Sequence, residues 1–243
     1  MKIIQSNLLN SFCNITHAFT TKEFGNLAFH VNDDIRAVKQ NHKNLSKTLN
    51  YSKITLVHMK QVHSNIIHIV DEYDNFNNPP TCDALITDRI ETPLMVMAAD
   101  CSPILFYDKK NRVIAVAHAG RKGAFSNIVK NVINSFQNNY NSDAKNIYVS
   151  IGANIGSCCY RVGDEIYRET KKLNLDYAIK KKSKNYYLDI RKILKKQLLS
   201  SGIIEKNIEI SNDCTCCISD KYFSYRADSL TGRFCGVILL KKI

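Results

Sequence analysis

The stretch RVIAVAHAGRKG, residues 112–123, determines the fold and also carries the first candidate functional residue. Residues 112–117 form an apolar run typical of a buried strand. The small residues that follow His118 predict a tight turn, and apolar side chains then recur at helical spacing up to residue 136. We therefore predict a strand, a turn and a helix in direct succession. The apolar face of this helix comprises Ala124, Phe125, Ile128, Val129, Val132, Ile133 and Phe136.

The remaining segments alternate between strand-like and helix-like patterns in a mixed order. Strands are predicted at 16–20, 54–59, 65–70, 84–87, 93–97, 103–107, 147–152, 207–212 and 234–240. Helices are predicted from Asp33 or Asp34 to Leu49, from near Asp164, and over 188–200. The order is neither strictly βαβ nor hairpin-only, so we predict an α/β (α+β) fold with mixed β-sheets covered by helices. No linker or repeat interrupts it, and we expect one domain over residues 1–243.

Composition limits the cellular context and the partners. The start MKIIQSNLLN resembles no secretory signal, and the apolar runs are shorter than the roughly 20 residues of a membrane span. The nine cysteines are therefore expected to be thiols in a reducing cytoplasm. The formal net charge of +12 lacks interleaved aromatic residues or a helix-turn-helix or finger pattern. We thus expect no specific nucleic acid and no membrane partner, but a small anionic substrate suits the charge.

Three residues at the ends of apolar runs form a candidate metal site. His63, Cys101 and His118 each lie where a strand-like run gives way to small or polar residues. If the three runs end at one sheet edge, the three side chains converge. Two imidazoles and one thiolate suit Zn²⁺ and leave a fourth position for water or substrate. Copper can also bind such a set in vitro, because Cu²⁺ outcompetes Zn²⁺ at most nitrogen and sulfur sites.

Other polar residues near these three predict the rest of an active site. Asp100 and Asp83 are the nearest carboxylates in the sequence and are candidates for orienting or proton-transfer roles. The helix start after Gly120 could hold an anion, with Lys122 adding positive charge. Two N-terminal histidines, His17 and His30, could line the pocket.

A second group of cysteines resembles metal spacing without forming a convincing site in the sequence. Cys158 and Cys159 are adjacent, and Cys214, Cys216 and Cys217 contain one C-x-x-C pair. Adjacent cysteines and C-x-C are poor tetrahedral chelators without a second, well-separated pair. We interpret these cysteines as structural or incidental.

Two other function classes remain open from the residues alone. Cys101 could be the nucleophile of a cysteine hydrolase with His118 as its base. The chain could also be a non-catalytic zinc-binding module, which would need four protein ligands rather than three. A shielded metal ligand should react slowly with alkylating reagents until the metal is removed, whereas a catalytic thiolate should react at once.

Several motifs in order resemble the YfiH-like family, once labelled multicopper polyphenol oxidase or laccase-domain proteins. They are HAFTTK…GNLAFHVNDD (17–34), QVHS (61–64), CDALIT (82–87), AADCSPILFYD (98–108), AVAHAGRKG (115–123), IGANIGSCCYRVGDEI (151–166) and FSYRADSLTGR (223–233). The resemblance implies a compact α/β fold with zinc bound by His63, Cys101 and His118. It also implies phosphorolysis of purine nucleosides (adenosine, inosine and methylthioadenosine) to base and ribose 1-phosphate, with accompanying adenosine deamination, by a monomer or homodimer.

The resemblance extends to substrate-binding residues, and the chain departs from the family pattern at several positions. The implied substrate and phosphate contacts are Lys22, Asn26, Gln61, Lys122 and Arg226. The family commonly has Trp-Arg where this chain has Arg121-Lys122, an Arg where it has Lys22, and a Pro where it has Ala153. A lysine meets phosphate as a point charge rather than as a bidentate fork. The older laccase name fits poorly, because the seven histidines contain no His-x-His pair.

Overall fold

Two large β-sheets form the centre of the protein, as seen in a computed structural model that describes residues 2–242. The four-stranded antiparallel sheet has the order β1 (Ile3–Ile4), β2 (Ile15–Thr20), β13 (Phe234–Leu240) and β5 (Leu94–Ala98). The six-stranded sheet has the order β12 (Ile208–Ile210), β8 (Ile147–Ile151), β6 (Ser102–Asp108), β7 (Val113–Ala119), β4 (Ala84–Thr87) and β3 (Ile67–Ile69). Its two outer pairs, β12–β8 and β3–β4, are parallel and the others antiparallel, so this sheet is mixed as predicted.

Five α-helices and a small sheet complete the regular structure of these residues. The helices are α1 (Ile35–Thr48), α2 (Arg121–Phe125), α3 (Ile128–Tyr140), α4 (Asp164–Lys172) and α5 (Ile190–Ser200). A three-stranded sheet of β10 (Ile179–Lys182), β11 (Asn185–Leu188) and β9 (Arg161–Val162) packs beside them. None of the helices in residues 2–242 is both long and apolar enough to cross a membrane.

Alternation along the strands explains how the layers pack. Successive side chains of a strand point to opposite faces of its sheet. On β6 and β7, Ile104 and Ala117 therefore join the core shared with α3 and α5, whereas Leu105 and Val116 pack against the four-stranded sheet. The other face of the four-stranded sheet packs against residues of α1 such as Leu45. The result is four layers, helix, sheet, sheet and helix, with both sheets buried on both faces.

Most predicted elements are confirmed, and the differences have local causes. The segment 54–59 was predicted as a strand but forms a 3-10 turn at Lys53–Thr55 and one isolated bridge at Val57. The predicted helix after Gly120 is broken between α2 and α3, because Asn127 takes a left-handed conformation (φ 56°) and caps α3 by accepting from the N–H of Lys130. The hairpin β10–β11 lies in the lysine-rich segment that the sequence left unassigned.

The corner between β5 and β6 positions the candidate site. β5 belongs to the four-stranded sheet and β6 to the six-stranded sheet, so residues 99–101 cross from one sheet to the other. Asp100 in this corner has a φ of 86°, in the left-handed region. Cys101 is therefore presented between the two sheets. The three candidate ligands do not leave one sheet edge, as the sequence predicted, but meet at this corner.

Candidate active site

His118 lies near the end of β7 and is oriented by a buried carboxylate. Its ring Nδ1 lies 2.9 Å from Oδ1 of Asp83, and its backbone N–H donates to the carbonyl oxygen of Asp83 at 2.8 Å. Both side chains are almost completely buried. Because Nδ1 is engaged with Asp83, Nε2 is the nitrogen through which His118 can bind a metal or a substrate.

His63 is presented by a tight loop that the same carboxylate holds. The backbone N–H groups of Val62, His63 and Ser64 donate to Asp83 at 3.3, 3.0 and 2.6 Å, and the Ser64 hydroxyl donates at 2.7 Å. His63 has a φ of 60°, a conformation that non-glycine residues adopt rarely. Asp83 therefore fixes the backbone beneath one histidine and the ring of the other.

Cys101 completes the group of three, and its packing requires a glycine nearby. Its Sγ lies 3.9 Å from Nε2 of His63. A Cβ atom at position 120 would lie 2.9 Å from this sulfur and 3.1 Å from Cδ2 of His63. Gly120 therefore allows the β7–α2 turn to approach both side chains, which explains the small-residue turn after His118.

The electrostatic surroundings of Cys101, His118 and Asp83 favour their charged forms. Burial disfavours the thiolate of Cys101, but the nearby imidazoles of His118 and His63 outweigh it and lower the pKa of the thiol. Burial likewise opposes protonation of His118, yet Cys101 and Asp83 raise its pKa. Burial also works against ionisation of Asp83, but hydrogen bonds from His118 and Ser64 hold the pKa of its carboxyl at about 2. Asp83 is therefore an ionised acceptor.

The donor set fits a transition-metal ion. The candidate ligand atoms of His63, Cys101 and His118 all lie within 4.8 Å of one another. Two imidazole nitrogens and one sulfur are borderline-soft donors, and the His118–Asp83 pair is the outer carboxylate contact that metal-binding histidines commonly have. This arrangement is a candidate metal site with three protein ligands.

The three residues lie at the wall of a cavity of about 420 Å³, within the range of small-molecule sites. The cavity walls are rich in cations and aromatic rings. They include Arg121, Arg226, Arg233, His30, Tyr160 and Tyr225. The cavity thus combines a candidate metal site with positive charge suited to an anion and with flat surfaces suited to a ring.

Four of the residues that the sequence predicted around the candidate metal ligands line this cavity. Asp100 accepts hydrogen bonds from the hydroxyls of Thr215 (2.6 Å) and Ser224 (2.7 Å) and from the backbone N–H of Arg226 (2.6 Å). Gln61 also lines the cavity, but its amide is engaged with both the N–H and the carbonyl of Met97 at 2.9 Å. Arg226 and His30 are the other two. Asp83, by contrast, lies behind the ligands and is fully buried.

Four other predicted residues lie away from the cavity. Nζ of Lys22 donates to the carbonyl of Ser219 at 3.3 Å, and Lys122 is exposed on α2. The Asn26 side chain is buried and accepts from the N–H groups of Ala28 and Arg233, so it acts behind the cavity by positioning the arginine. The sequence predicted that Lys22, Lys122 and Asn26 would contact the substrate or phosphate, but none of the three lines the cavity. His17 is also buried elsewhere, where Nε2 accepts from the N–H of Ser6 at 2.9 Å.

Arg121 and Arg233 are cavity cations that the sequence reasoning missed. Arg121 points along the cavity while its neighbour Lys122 points to solvent, and Nη1 of Arg121 contacts Glu169 at 2.8 Å. α2 has only five residues, so its dipole is a weak anion attractor compared with a guanidinium. Arg233 is the last residue of the FSYRADSLTGR motif, and this position could have indicated that it belongs to the site.

The fold and the site define a two-sheet α/β protein in which two histidines and one cysteine, a donor set suited to a metal ion, lie at a cationic cavity. The chain belongs to the family described as multi-copper polyphenol oxidoreductase laccase, which matches residues 16–241. The resemblance to YfiH-like proteins is confirmed. The structure is similar to that of the hypothetical protein YfiH of Bacillus licheniformis, with a TM-score of 0.91 and 30% identity over 98% of this chain and 96% of that chain.

Two curated relatives cover nearly all of the chain. A protein of Clostridium acetobutylicum named purine nucleoside phosphorylase is 36% identical over 225 residues, 92% of this chain and 91% of the relative. A protein of Corynebacterium glutamicum with the same name is 34% identical over 240 residues, 94% of this chain and 95% of the relative.

Proposed function

We propose that this protein is a zinc-dependent purine nucleoside phosphorylase. It would split adenosine, inosine and methylthioadenosine with phosphate into free base and ribose 1-phosphate, with accompanying deamination of adenosine. The observation that carries the proposal is the convergence of His63, Cys101 and His118 on a cavity that also presents three arginines. The names of the two relatives support the reaction class.

His63, Cys101 and His118 would hold the zinc ion in this proposal. When bound, zinc would supply Lewis acidity at one wall of the cavity. Asp83 lies behind these ligands and does not face the cavity. It fixes the ring of His118 and the loop of His63. We therefore assign Asp83 a positioning role rather than a proton-transfer role.

The cavity arginines are the proposed phosphate site. Phosphate is best held by planar, permanently charged guanidinium groups. Nη1 of Arg226 is anchored to the carbonyl oxygens of Cys159 and Arg161 at 3.0 and 3.2 Å, and Arg121 is anchored to Glu169. Asp100 holds the backbone N–H of Arg226, so its role in this scheme is to orient that segment.

The reaction needs an attacking oxygen, a leaving base and a proton for that base. A phosphate oxygen forms the bond to C1′ as the bond from C1′ to the purine nitrogen breaks, and the departing base gains a proton or a hydrogen bond. Burial raises the pKa of the Tyr160 phenol, helped by the negative charge of Cys101, so this cavity residue stays protonated. Tyr160 is therefore our candidate donor to the leaving purine.

Product analysis with adenosine tests the proposal. The purified protein is incubated with adenosine with and without phosphate, and the bases and nucleosides are separated by chromatography. Adenine that appears only with phosphate supports phosphorolysis, and inosine formed in both incubations supports the accompanying deamination. The variant His118→Ala should lose both products together with the zinc ion of this site. Full activity in that variant would contradict the assignment of the site.

A further inference from the structure

Four cysteines outside the cavity bring their sulfur atoms together from two distant loops. They are Cys158, Cys159, Cys214 and Cys217. All four Sγ atoms lie within 4.8 Å of one another. The sulfur of Cys217 lies 3.4 Å from that of Cys158 and 3.3 Å from that of Cys159. The adjacent pair therefore finds the second, well-separated pair that the sequence alone did not reveal.

We propose that these four cysteines form a second metal site that binds Zn²⁺ structurally. Four sulfurs at about 2.3 Å from one tetrahedral ion lie about 3.8 Å from each other. The two sulfur contacts of Cys217, 3.3 and 3.4 Å, lie slightly below this value, and no pair in the cluster exceeds 4.8 Å. They are far longer than the roughly 2.05 Å bond of a disulfide, and all four cysteines are free thiols in the structure. Four thiols that ionise on binding are the soft donor set that zinc prefers in closed structural sites.

Both loops are shaped to present two sulfurs each. Residues 157–159 form a turn in which the N–H of Cys159 donates to the carbonyl of Gly156 at 3.0 Å. Cys214 and Cys217 are a C-x-x-C pair in a second turn, where the N–H of Ile218 donates to the carbonyl of Cys214 at 3.1 Å. The C-x-x-C spacing is the usual half of a structural zinc site.

Gly156 links the two loops at the sulfurs. Its N–H donates to Sγ of Cys214 at 3.1 Å, a contact that stabilises a thiolate. A Cβ atom at position 156 would lie 3.1 Å from Sγ of Cys158 and 3.5 Å from Sγ of Cys214. A larger residue would therefore crowd the sulfurs, and the glycine allows the loops to approach.

The cluster lies directly behind one wall of the active-site cavity. The carbonyl oxygen of Cys159 accepts from the guanidinium of Arg226, and the next residue, Tyr160, lines the cavity. On the other loop, the hydroxyl of Thr215 donates to Asp100. An ion held by the four thiolates would fix both loops, and with them the positions of Arg226 and Tyr160. The site itself does not depend on the reaction proposed above.

Metal analysis of the full chain tests this second site. The protein is produced with zinc, purified under reducing, oxygen-free conditions, and analysed for zinc per chain. We expect about two zinc ions in the wild type, about one in Cys217→Ser and about one in Cys101→Ser. The control variant Cys13→Ser changes an exposed cysteine outside both groups and should keep about two.

Cobalt substitution distinguishes the two sites without relying on the stability of Cys217→Ser. Cys101→Ser lacks the sulfur of the active-site group, so a four-thiolate cobalt spectrum in this variant can come only from the cysteine cluster. We expect intense thiolate-to-cobalt charge-transfer bands and tetrahedral ligand-field bands. A Cys101→Ser protein without zinc and without these bands would overturn the proposal. A disulfide between Cys217 and Cys158 or Cys159, seen as a mass deficit in the oxygen-free wild-type protein, would also overturn it.

Discussion

The carboxylate of Asp83 contacts the ring of His118 at 2.9 Å and at the same time accepts three backbone N–H groups from the loop that carries His63. One buried side chain therefore sets the positions of two of the three candidate metal ligands. The contacts of Asp83 explain why the short motifs around residues 63, 83 and 118 form one site. It also makes Asp83 the most informative residue behind the site.

Asp83→Asn should weaken zinc binding by about 10- to 100-fold, the usual effect of losing an outer-shell partner of a metal ligand. The asparagine amide can accept only some of the five hydrogen bonds that the carboxylate accepts. His118 and the 62–64 loop therefore lose their fixed geometry. Competition with a chromogenic chelator measures the zinc affinity directly.

The matched control for this prediction is Asp74→Asn. Asp74 also pairs with a histidine, at 2.6 Å from Nε2 of His68, but outside the active site. The zinc affinity of the Asp74→Asn variant should equal that of the wild type. Equal affinities in both variants would show that Asp83 has no positioning role.

Arg121→Ala should raise the KM for phosphate by about 10- to 100-fold, which corresponds to the loss of one charge-assisted hydrogen bond. Lys122→Ala, on the next residue, should change it by less than about twofold, because that side chain is exposed. Initial rates at varied phosphate measure both values. A larger effect at Lys122 than at Arg121 would return the phosphate contact to the residue that the sequence motif indicates.

Chelation should abolish activity and expose Cys101. If Cys101 is a zinc ligand, alkylation of its peptide is slow in the native protein and accelerates once a chelator removes the metal. Mass spectrometry of the Cys101 peptide measures the rate, and exposed Cys13 serves as an internal reference that should react equally in both conditions. Fast alkylation of Cys101 with chelator-resistant activity would instead identify a cysteine hydrolase.

Acid should destabilise the protein partly through His17. Burial lowers the pKa of His17 to about 4. The unfolded chain binds this proton near the ordinary pKa of about 6.5, so the stability from neutral His17 is complete above that pH and is lost as the pH falls toward 4. The full difference corresponds to about 3 kcal/mol.

His17→Gln keeps an acceptor for Ser6 without a titrating group. Denaturant unfolding between about pH 7 and about pH 4 should therefore show a smaller loss of stability in this variant than in the wild type. An unchanged pH dependence would mean that His17 does not titrate in its buried position.

Local pattern was sufficient for most of the strands, and it indicated His63, Cys101 and His118, which the structure brings together. The run at 112–119 and the face of α3 follow from burial and periodicity, and both were predicted closely. The segment 54–59 looks equally strand-like, yet only Val57 finds a bridging partner. Whether an apolar run joins a sheet depends on a neighbouring strand, which a local pattern does not contain.

For other residues, the direction of the side chain or the contact between distant loops could not be predicted from the sequence. Arg121 and Lys122 differ by one position on a helix, so their directions depend on where α2 begins. The cysteines at 158–159 and 214–217 come together only because β8 and β12 are paired in the same sheet and their following loops meet. The sequence showed each half of this cluster but not their contact.

Phosphorus NMR of inosine incubated with phosphate and the protein tests the proposed activity most directly. We expect a ribose 1-phosphate signal that grows in step with hypoxanthine, and no such signal with His118→Ala. Hypoxanthine accompanied by free ribose would identify a hydrolase, and no cleavage of inosine at all would contradict the proposed phosphorylase.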